Sequence, residues 1–271
     1  MCELLGLCFN KPIAPSISFI GFRQRGEVNR HGWGVAFYPD HSAQVIKEPI
    51  NAGASELSNF LKGYKHMSSK ILLAHVRHAT VGSHTRMNTH PFQRELGGRD
   101  YVFAHNGDLR GGYKKGLPLG MYRPVGETDS EHAFCHLLEL VRKRGVAQWS
   151  HADYAWLEDR LRRINRFGVF NCLLSDGEHL FAYRGFDEKR TLYFLNRVPP
   201  YGRVRLLDQD FSIDLGKGRH PGTFGFIVAT RPLTDEAWIP FPGGRLLVFR
   251  DGKTVYSDTK MPKSVRDSPV R

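Results

Sequence analysis

Residues Met1-Cys2-Glu3-Leu4-Leu5-Gly6-Leu7 open the chain. The apolar run Leu4-Leu5-Gly6-Leu7 predicts a buried strand, which would hold this terminus in the body of the protein. Removal of Met1 would leave Cys2 as the first residue, with a thiol and a free α-amine on one amino acid. A thiolate is a strong nucleophile, and an α-amine with a pKa near about 8 can serve as its base. One residue then supplies a nucleophile–base pair. The plainer reading is that Cys2 is a small residue that permits trimming of the methionine. The rest of the chain decides between the two.

The 271 residues allow one large domain or two small ones, and 41% hydrophobic with 12% aromatic residues is enough for a sizeable core. The expected organisation is a single domain over residues 2–258 and a polar, basic tail over 259–271. The net charge is +12, with 39 Lys and Arg against 27 Asp and Glu. Such a balance suits an anionic small substrate as well as nucleic acid. No nucleic-acid-binding motif is present, so nucleic acid is not expected as a partner. Cys2, Cys8, Cys135 and Cys172 have no C-x-x-C spacing, which argues against a zinc site, a redox pair or a disulfide framework. There is no secretory signal pattern and no apolar run of membrane-spanning length. The expectation is a cytoplasmic protein with reduced thiols and no membrane partner.

Strands are expected over Gly32–Tyr38, with a hairpin partner at Val45-Ile46-Lys47, and over Ile71–Val76 and Tyr101–Ala104. Leu57, Phe60 and Leu61 at i, i+3, i+4 predict a helix over Ser55–Tyr64. Thr128-Asp129-Ser130-Glu131 reads as a capping box. It opens a helix with an apolar stripe of Ala133, Phe134, Leu137, Leu138 and Val141, a basic last turn and a stop at Gly145. A second helix is expected near Tyr154–Arg166. Strands then return at Val169–Leu174, Leu180–Tyr183, Phe224–Ala229, Leu246–Phe249 and Thr254–Tyr256, with turns at Ser175–Glu178 and Asp251-Gly252. Strands first, helices in the middle and strands again favour antiparallel sheets with helices packed outside them.

Three further stretches carry candidate chemistry. Ala74-His75-Val76-Arg77-His78-Ala79-Thr80 ends a strand with an arginine, whose planar fork suits a carboxylate. His105-Asn106-Gly107-Asp108 offers a backbone N–H and an amide that suit a developing oxyanion, although Asn-Gly is also a common turn dipeptide. Asp129 falls in the first turn of a helix, where the dipole alone would favour a carboxylate, and where it could also pair with a substrate ammonium. An arginine fork, an aspartate, an oxyanion hole and a terminal thiol are together what hydrolysis of glutamine's side-chain amide requires.

Met1-Cys2-Glu3-Leu4-Leu5-Gly6, Gly32-Trp33-Gly34, Arg77-His78-Ala79-Thr80, Thr89-His90-Pro91-Phe92, His105-Asn106-Gly107 and Gly126-Glu127-Thr128-Asp129-Ser130-Glu131 occur in this order. In this the chain resembles the class-II glutamine amidotransferases of the N-terminal-nucleophile hydrolase superfamily, and most closely their standalone YafJ-type branch. The likeness extends through Leu173–Gly177 and Leu206–Asp210. It implies an α+β, four-layer αββα sandwich of two antiparallel sheets flanked by helices. It implies Cys2 as nucleophile and its α-amine as base, Asn106 and Gly107 as oxyanion hole, Arg77 on the substrate carboxylate and Asp129 on its ammonium. Thr80 and His90 match positions lining the glutamine pocket. No cofactor and no metal are implied. The sequence departs from the synthase-linked relatives at His78, where tryptophan is usual, at Val81, where histidine is usual, and at His31, where aspartate is usual.

The reaction so implied is cleavage of the γ-amide through a Cys2 γ-glutamyl thioester, giving glutamate and ammonia. No stretch of the 271 residues is left for a synthase, so the expected partners are glutamine or a γ-glutamyl compound and an ammonia-accepting synthase on another chain. Hydrolysis of a γ-glutamyl peptide and a catalytically silent binding subunit are the alternative readings.

Overall fold

The computed structural model describes residues 2–14, 22, 31–61, 63–64, 66–78, 83–207, 211–214 and 222–257. Fifteen strands are formed among the described residues: β1 Glu3–Ile13, β2 Trp33–Phe37, β3 Gln44–Glu48, β4 Ser69–Val76, β5 Phe92–Leu96, β6 Arg99–Leu109, β7 Gly168–Ser175, β8 His179–Arg184, β9 Tyr193–Arg197, β10 Arg203–Leu206, β11 Phe211–Asp214, β12 Gly225–Ala229, β13 Ile239–Pro240, β14 Arg245–Arg250 and β15 Lys253–Ser257. The helices that matter for packing are α1 Glu56–Leu61, α2 Asp129–Arg144 and α3 His151–Asn165.

Seven strands form one sheet in the order β13-β9-β12-β1-β4-β2-β3, six form a second in the order β15-β14-β8-β7-β6-β5, and β10 with β11 make a separate ribbon. Every pairing is antiparallel. β1 lies in the middle of the first sheet, and its period of two explains why it reads as an almost unbroken apolar run. Leu4 and Cys8 face the second sheet, whereas Leu5, Leu7 and Phe9 face outward, so both faces are buried. Between the sheets, Leu4, Ala36 and Leu73 meet Ala104, Leu173 and Leu247. The outer face of the second sheet is covered by α2 and α3, with Phe134, Leu137, Leu157 and Leu161 packed on Phe170 and Tyr183. The Phe103 and Phe134 rings stack there at 5.1 Å. The outer face of the first sheet is covered by Leu61, Phe22, Ala52 and Met67. The result is the expected αββα sandwich, with a slighter cover on the first sheet among the described residues. No helix among them is long and apolar enough to cross a membrane.

Two local expectations are corrected. In α1 the buried residues are Ser58 and Leu61, whereas Leu57 and Phe60 are exposed, Phe60 at 62%. The Ser58 N–H is tied to the Ser55 hydroxyl at 2.8 Å, and that hydroxyl is bonded to Glu48, so a polar anchor turns the helix away from its apolar stripe. In α2 only half of the capping box exists. Thr128 accepts from the Glu131 N–H at 3.2 Å, but the Glu131 carboxylate is drawn off by Arg94 at 2.5 Å and the Gly126 N–H at 2.7 Å. The complete capping box is at Ser150 and Asp153, opening α3.

The two sheets are also joined by polar groups. His75 on β4 donates from Nε2 to the His105 carbonyl of β6 at 3.1 Å. The His90 ring sits 4.2 Å from that of His75 and 4.5 Å from Phe92. Burial holds the imidazoles of His75, His90 and His105 below the ordinary histidine range, helped by neighbouring positive charges at His75 and His90 and opposed by Asp129 at His105; His75 falls to about 3 and His90 well below its usual value. Histidines in the unfolded chain take up protons as pH falls below about 6.5 whereas these do not, so their contribution to stability is complete above that pH and is lost below it. His90→Leu is therefore expected to make the pH dependence of the unfolding free energy between pH 6.5 and 4.5 shallower, by up to about 1.4 kcal/mol per pH unit. Denaturant unfolding at several pH values measures this; equal slopes for variant and wild type would contradict it.

Candidate active site

Strand register brings the candidate residues together. Glu3 pairs with Val76 and Val76 with Trp33, so Cys2 at the start of β1 lies opposite Arg77 just beyond β4. The Arg77 N–H donates to the Gly32 carbonyl at 2.7 Å, which continues the pairing one step past the strand end. The sulfur of Cys2 lies against the next peptide. The His78 N–H donates to Sγ at 3.2 Å, and the thiol points at the His78 carbonyl at 3.3 Å. Burial raises the thiol above its ordinary pKa, opposed by that N–H and by the charges of Arg77 and Arg190. The buried Arg77 guanidinium donates from Nη1 to the Ser83 carbonyl at 3.2 Å and toward the His31 carbonyl at 3.5 Å. Burial lowers its pKa and the nearby Cys2 raises it, so the two groups feel each other's charge.

The second sheet contributes β6. Asn106 donates from Nδ2 to the Cys2 carbonyl at 2.8 Å, so this side chain crosses from one sheet to the terminus of the other. Asn106 and Gly107 form neither a turn nor a strand end: they sit inside β6, opposite Asn171 and Phe170 of β7. Gly107 is demanded by space, because a Cβ there would lie 1.9 Å from the Val169 carbonyl oxygen and 2.3 Å from His105 Nε2. Asp129, in the first turn of α2, accepts from the Leu109 N–H at 2.6 Å and is 6% exposed. It is thereby fixed to the end of the strand that carries Asn106.

His105 links these parts. Its Nε2 lies 3.2 Å from the Val169 carbonyl, an acceptor only, so Nε2 carries the proton. Nδ1 then accepts from the Ser130 hydroxyl at 2.8 Å. The helix N-terminus with Asp129 is thus pinned to β6 through a neutral histidine. His90 is 3% exposed and lies behind this layer, packed on His75. Its main chain packs on β2: a Cβ on Gly34 would come within 2.3 Å of the His90 carbonyl oxygen and 2.9 Å of Pro91. Among the described residues, no three His, Cys, Asp or Glu side chains gather as metal ligands. Thr80, Val81 and Met1 lie outside the described residues.

The wall beyond Arg77 is held by Asn88, which donates from Nδ2 to the Ser83 carbonyl at 3.2 Å and accepts from the Glu127 N–H at 2.8 Å. The departures at His31 and His78 fall at the rim, where the His31 ring lies 5.2 Å from His78 and stacks on His84 at 4.3 Å. His78 meets the thiol through its peptide group, which any residue type would supply. Sequence reasoning assigned no role to His75, His105, Ser130, Asn171 or Arg190. Asn171 donates from Nδ2 to the Arg190 carbonyl at 3.0 Å and accepts from the Gly185 N–H at 2.9 Å, which holds the 185–190 loop beside Asn106. A buried asparagine within Val169–Leu174, an otherwise apolar strand, was the one signal that pointed there.

Proteins of similar sequence and fold are known. The sequence profile of the class-II glutamine amidotransferases matches residues 1–270. An uncharacterized protein of Methanocaldococcus jannaschii is 46% identical over 278 residues, spanning 100% of this chain and 77% of that protein. The predicted glutamine amidotransferase YafJ of Escherichia coli is 38% identical over 94% of this chain and 100% of its own length. The crystal structure of a predicted glutamine amidotransferase from Pseudomonas aeruginosa superposes with a TM-score of 0.72 at 33% identity, covering 94% of this chain and 100% of that one. The chain belongs to the class-II glutamine amidotransferases, in their standalone YafJ-type branch.

Proposed function

We propose that the protein cleaves the γ-amide of glutamine with Cys2 as nucleophile, after removal of Met1. The observation that carries this reading is the placement of Cys2, its thiol against the His78 peptide beside Arg77 and its carbonyl held by the Asn106 amide of the other sheet. A thiol raised by burial is protonated at neutral pH, so the nucleophile has to be generated on demand. The α-amine of a trimmed Cys2 takes the thiol proton as sulfur attacks the γ-carboxamide carbon. The S–C bond forms, and the carbonyl oxygen becomes an oxyanion that accepts from the Gly107 N–H and from the second N–H of the Asn106 amide. Collapse breaks the C–N bond, and the ammonium proton passes to the leaving nitrogen, releasing ammonia. Water then attacks the thioester and gives its proton to the amine. The S–C bond breaks, the thiol is restored and glutamate leaves. Arg77 holds the α-carboxylate and Asp129 the α-ammonium, and Thr80 and His90 belong to the pocket around the donor. The ammonia goes to solvent or to a synthase on another chain.

One observation favours a second reading, hydrolysis of a γ-glutamyl compound larger than glutamine. Arg190, whose carbonyl is held by Asn171 beside Asn106, acts through its charge on both Cys2 and His105, so a cation besides Arg77 stands near the site. A donor with a second anionic group on its leaving side would use it.

Glutaminase assay is expected to show ammonia release by the wild type and none above background for Cys2→Ala; equal release would end the proposal. Asn106→Ala is expected to lower kcat by about 10²–10³ with a smaller change in KM, as for loss of one oxyanion donor. A loss confined to KM would place Asn106 outside the reacting centre. Turnover of free glutamine against γ-glutamyl dipeptides separates the two donors: under the second reading Arg190→Gln raises KM for the dipeptide and leaves glutamine unaffected.

A further inference from the structure

A cavity of about 400 Å³ opens between the edge strands β3 and β5, with Arg86, Met87 and Pro91 in its lining. Its floor is Phe92, and Met87 and Val125 stand at its mouth, 40% and 72% exposed. Lys47 enters from β3. Its ammonium donates to the Thr89 carbonyl at 2.6 Å and the Pro91 carbonyl at 3.1 Å, and it lies 5.1 Å from the centre of the Phe92 ring. Arg86 donates from Nη1 to the Lys47 carbonyl at 2.9 Å and joins it in the lining.

The charges of this cavity do not balance. Its one acidic residue, Glu131, is already engaged by Arg94 at 2.5 Å and by the Gly126 N–H at 2.7 Å. Lys47 and Arg86 have only neutral carbonyl acceptors among the described residues, with no carboxylate within ion-pair distance. Burial, helped by the charges of Arg86 and Arg94 and only partly opposed by Glu131, depresses Lys47 to about 8. A cation placed half inside an apolar pocket without a counter-ion carries a desolvation cost that a bound anion would offset. A sealed sandwich edge would need only an apolar side chain at this position.

We propose that the cavity between β3 and β5 is a second ligand site, which takes a small amphiphilic anion: a carboxylate or phosphate on Lys47 and Arg86, with an aromatic or aliphatic body against Phe92, Met87 and Val125. The site is independent of the thiol chemistry, although it shares with that cleft the Arg86–Phe92 segment and the first turn of α2.

The test uses 8-anilinonaphthalene-1-sulfonate, an anion with an aromatic body, in a fluorescence titration of the folded full chain. Saturable binding of one dye per chain is expected. Lys47→Met is expected to weaken it about tenfold or more, since hydrogen bonds to charged groups are worth roughly that factor. Affinity for the wild type should fall as pH rises through about 8 and Lys47 loses its proton, and this pH dependence should vanish in Lys47→Met. Val125→Glu, at an exposed position where folding is not at stake, should weaken binding as well. Phenyl phosphate and benzoate should displace the dye, the better competitor identifying the head group, and inorganic phosphate should not. No saturable binding, equal affinities in wild type and both variants, or displacement by inorganic phosphate as effective as by phenyl phosphate would overturn the proposal.

Discussion

The site depends on a hydrogen bond that passes from one sheet to the other. The Asn106 amide, carried on the second sheet, donates to the carbonyl of Cys2 at the start of the first sheet's central strand. The sandwich core fixes the separation of the sheets to the size of the side chains between them. A terminus held across that gap can move little unless the sheets move with it. Strand register fixes the remaining freedom: Glu3 opposite Val76 leaves Cys2 opposite Arg77, and a slip of one residue would point the thiol away from the cleft. The site therefore has its geometry from the packing of the sandwich as much as from the residues that line it.

The histidines form the layer behind it. His75 ties β4 to β6, and His105 ties β6 to the first turn of α2 through Ser130. Both are held neutral by burial, which suits them as fixed hydrogen-bonding parts more than as proton carriers. Asp129 is consequently positioned by two bonds, its own to Leu109 and that of its neighbour Ser130 to His105. A carboxylate so constrained can present one oriented charge without paying to reorganise at each turnover.

Much of this was legible in the residues. The apolar run behind Cys2, the hairpin of β7 and β8, the stripe of α2 and its stop at Gly145 all follow from period and turn chemistry, and the structure has them. The site motifs could be recognised from their order, but the contacts that position them could not. Glu131 looked like the partner of Thr128 because local spacing favours that bond, yet Arg94, a residue distant in sequence, takes its charge. Leu57 and Phe60 looked like a core stripe, yet a short helix is oriented by whatever anchors its first turn, here Ser55 and Glu48. Asn106-Gly107 read as the end of a strand because the dipeptide often stops one; only the close approach of Val169 and its strand reveals why glycine is required inside β6. Each failure has one cause, a long-range partner that outcompetes a local preference.

The account's central claim is that residue 2 acts as nucleophile and, once uncapped, as its own base. The most direct measurement is mass spectrometry of the purified protein before and after treatment with a diazoketone analogue of glutamine. The account predicts an intact mass lacking Met1 and a single adduct, mapped to the cysteine at the new N-terminus. A chain that retains Met1 yet turns over glutamine, or an adduct that maps to another residue, would contradict it.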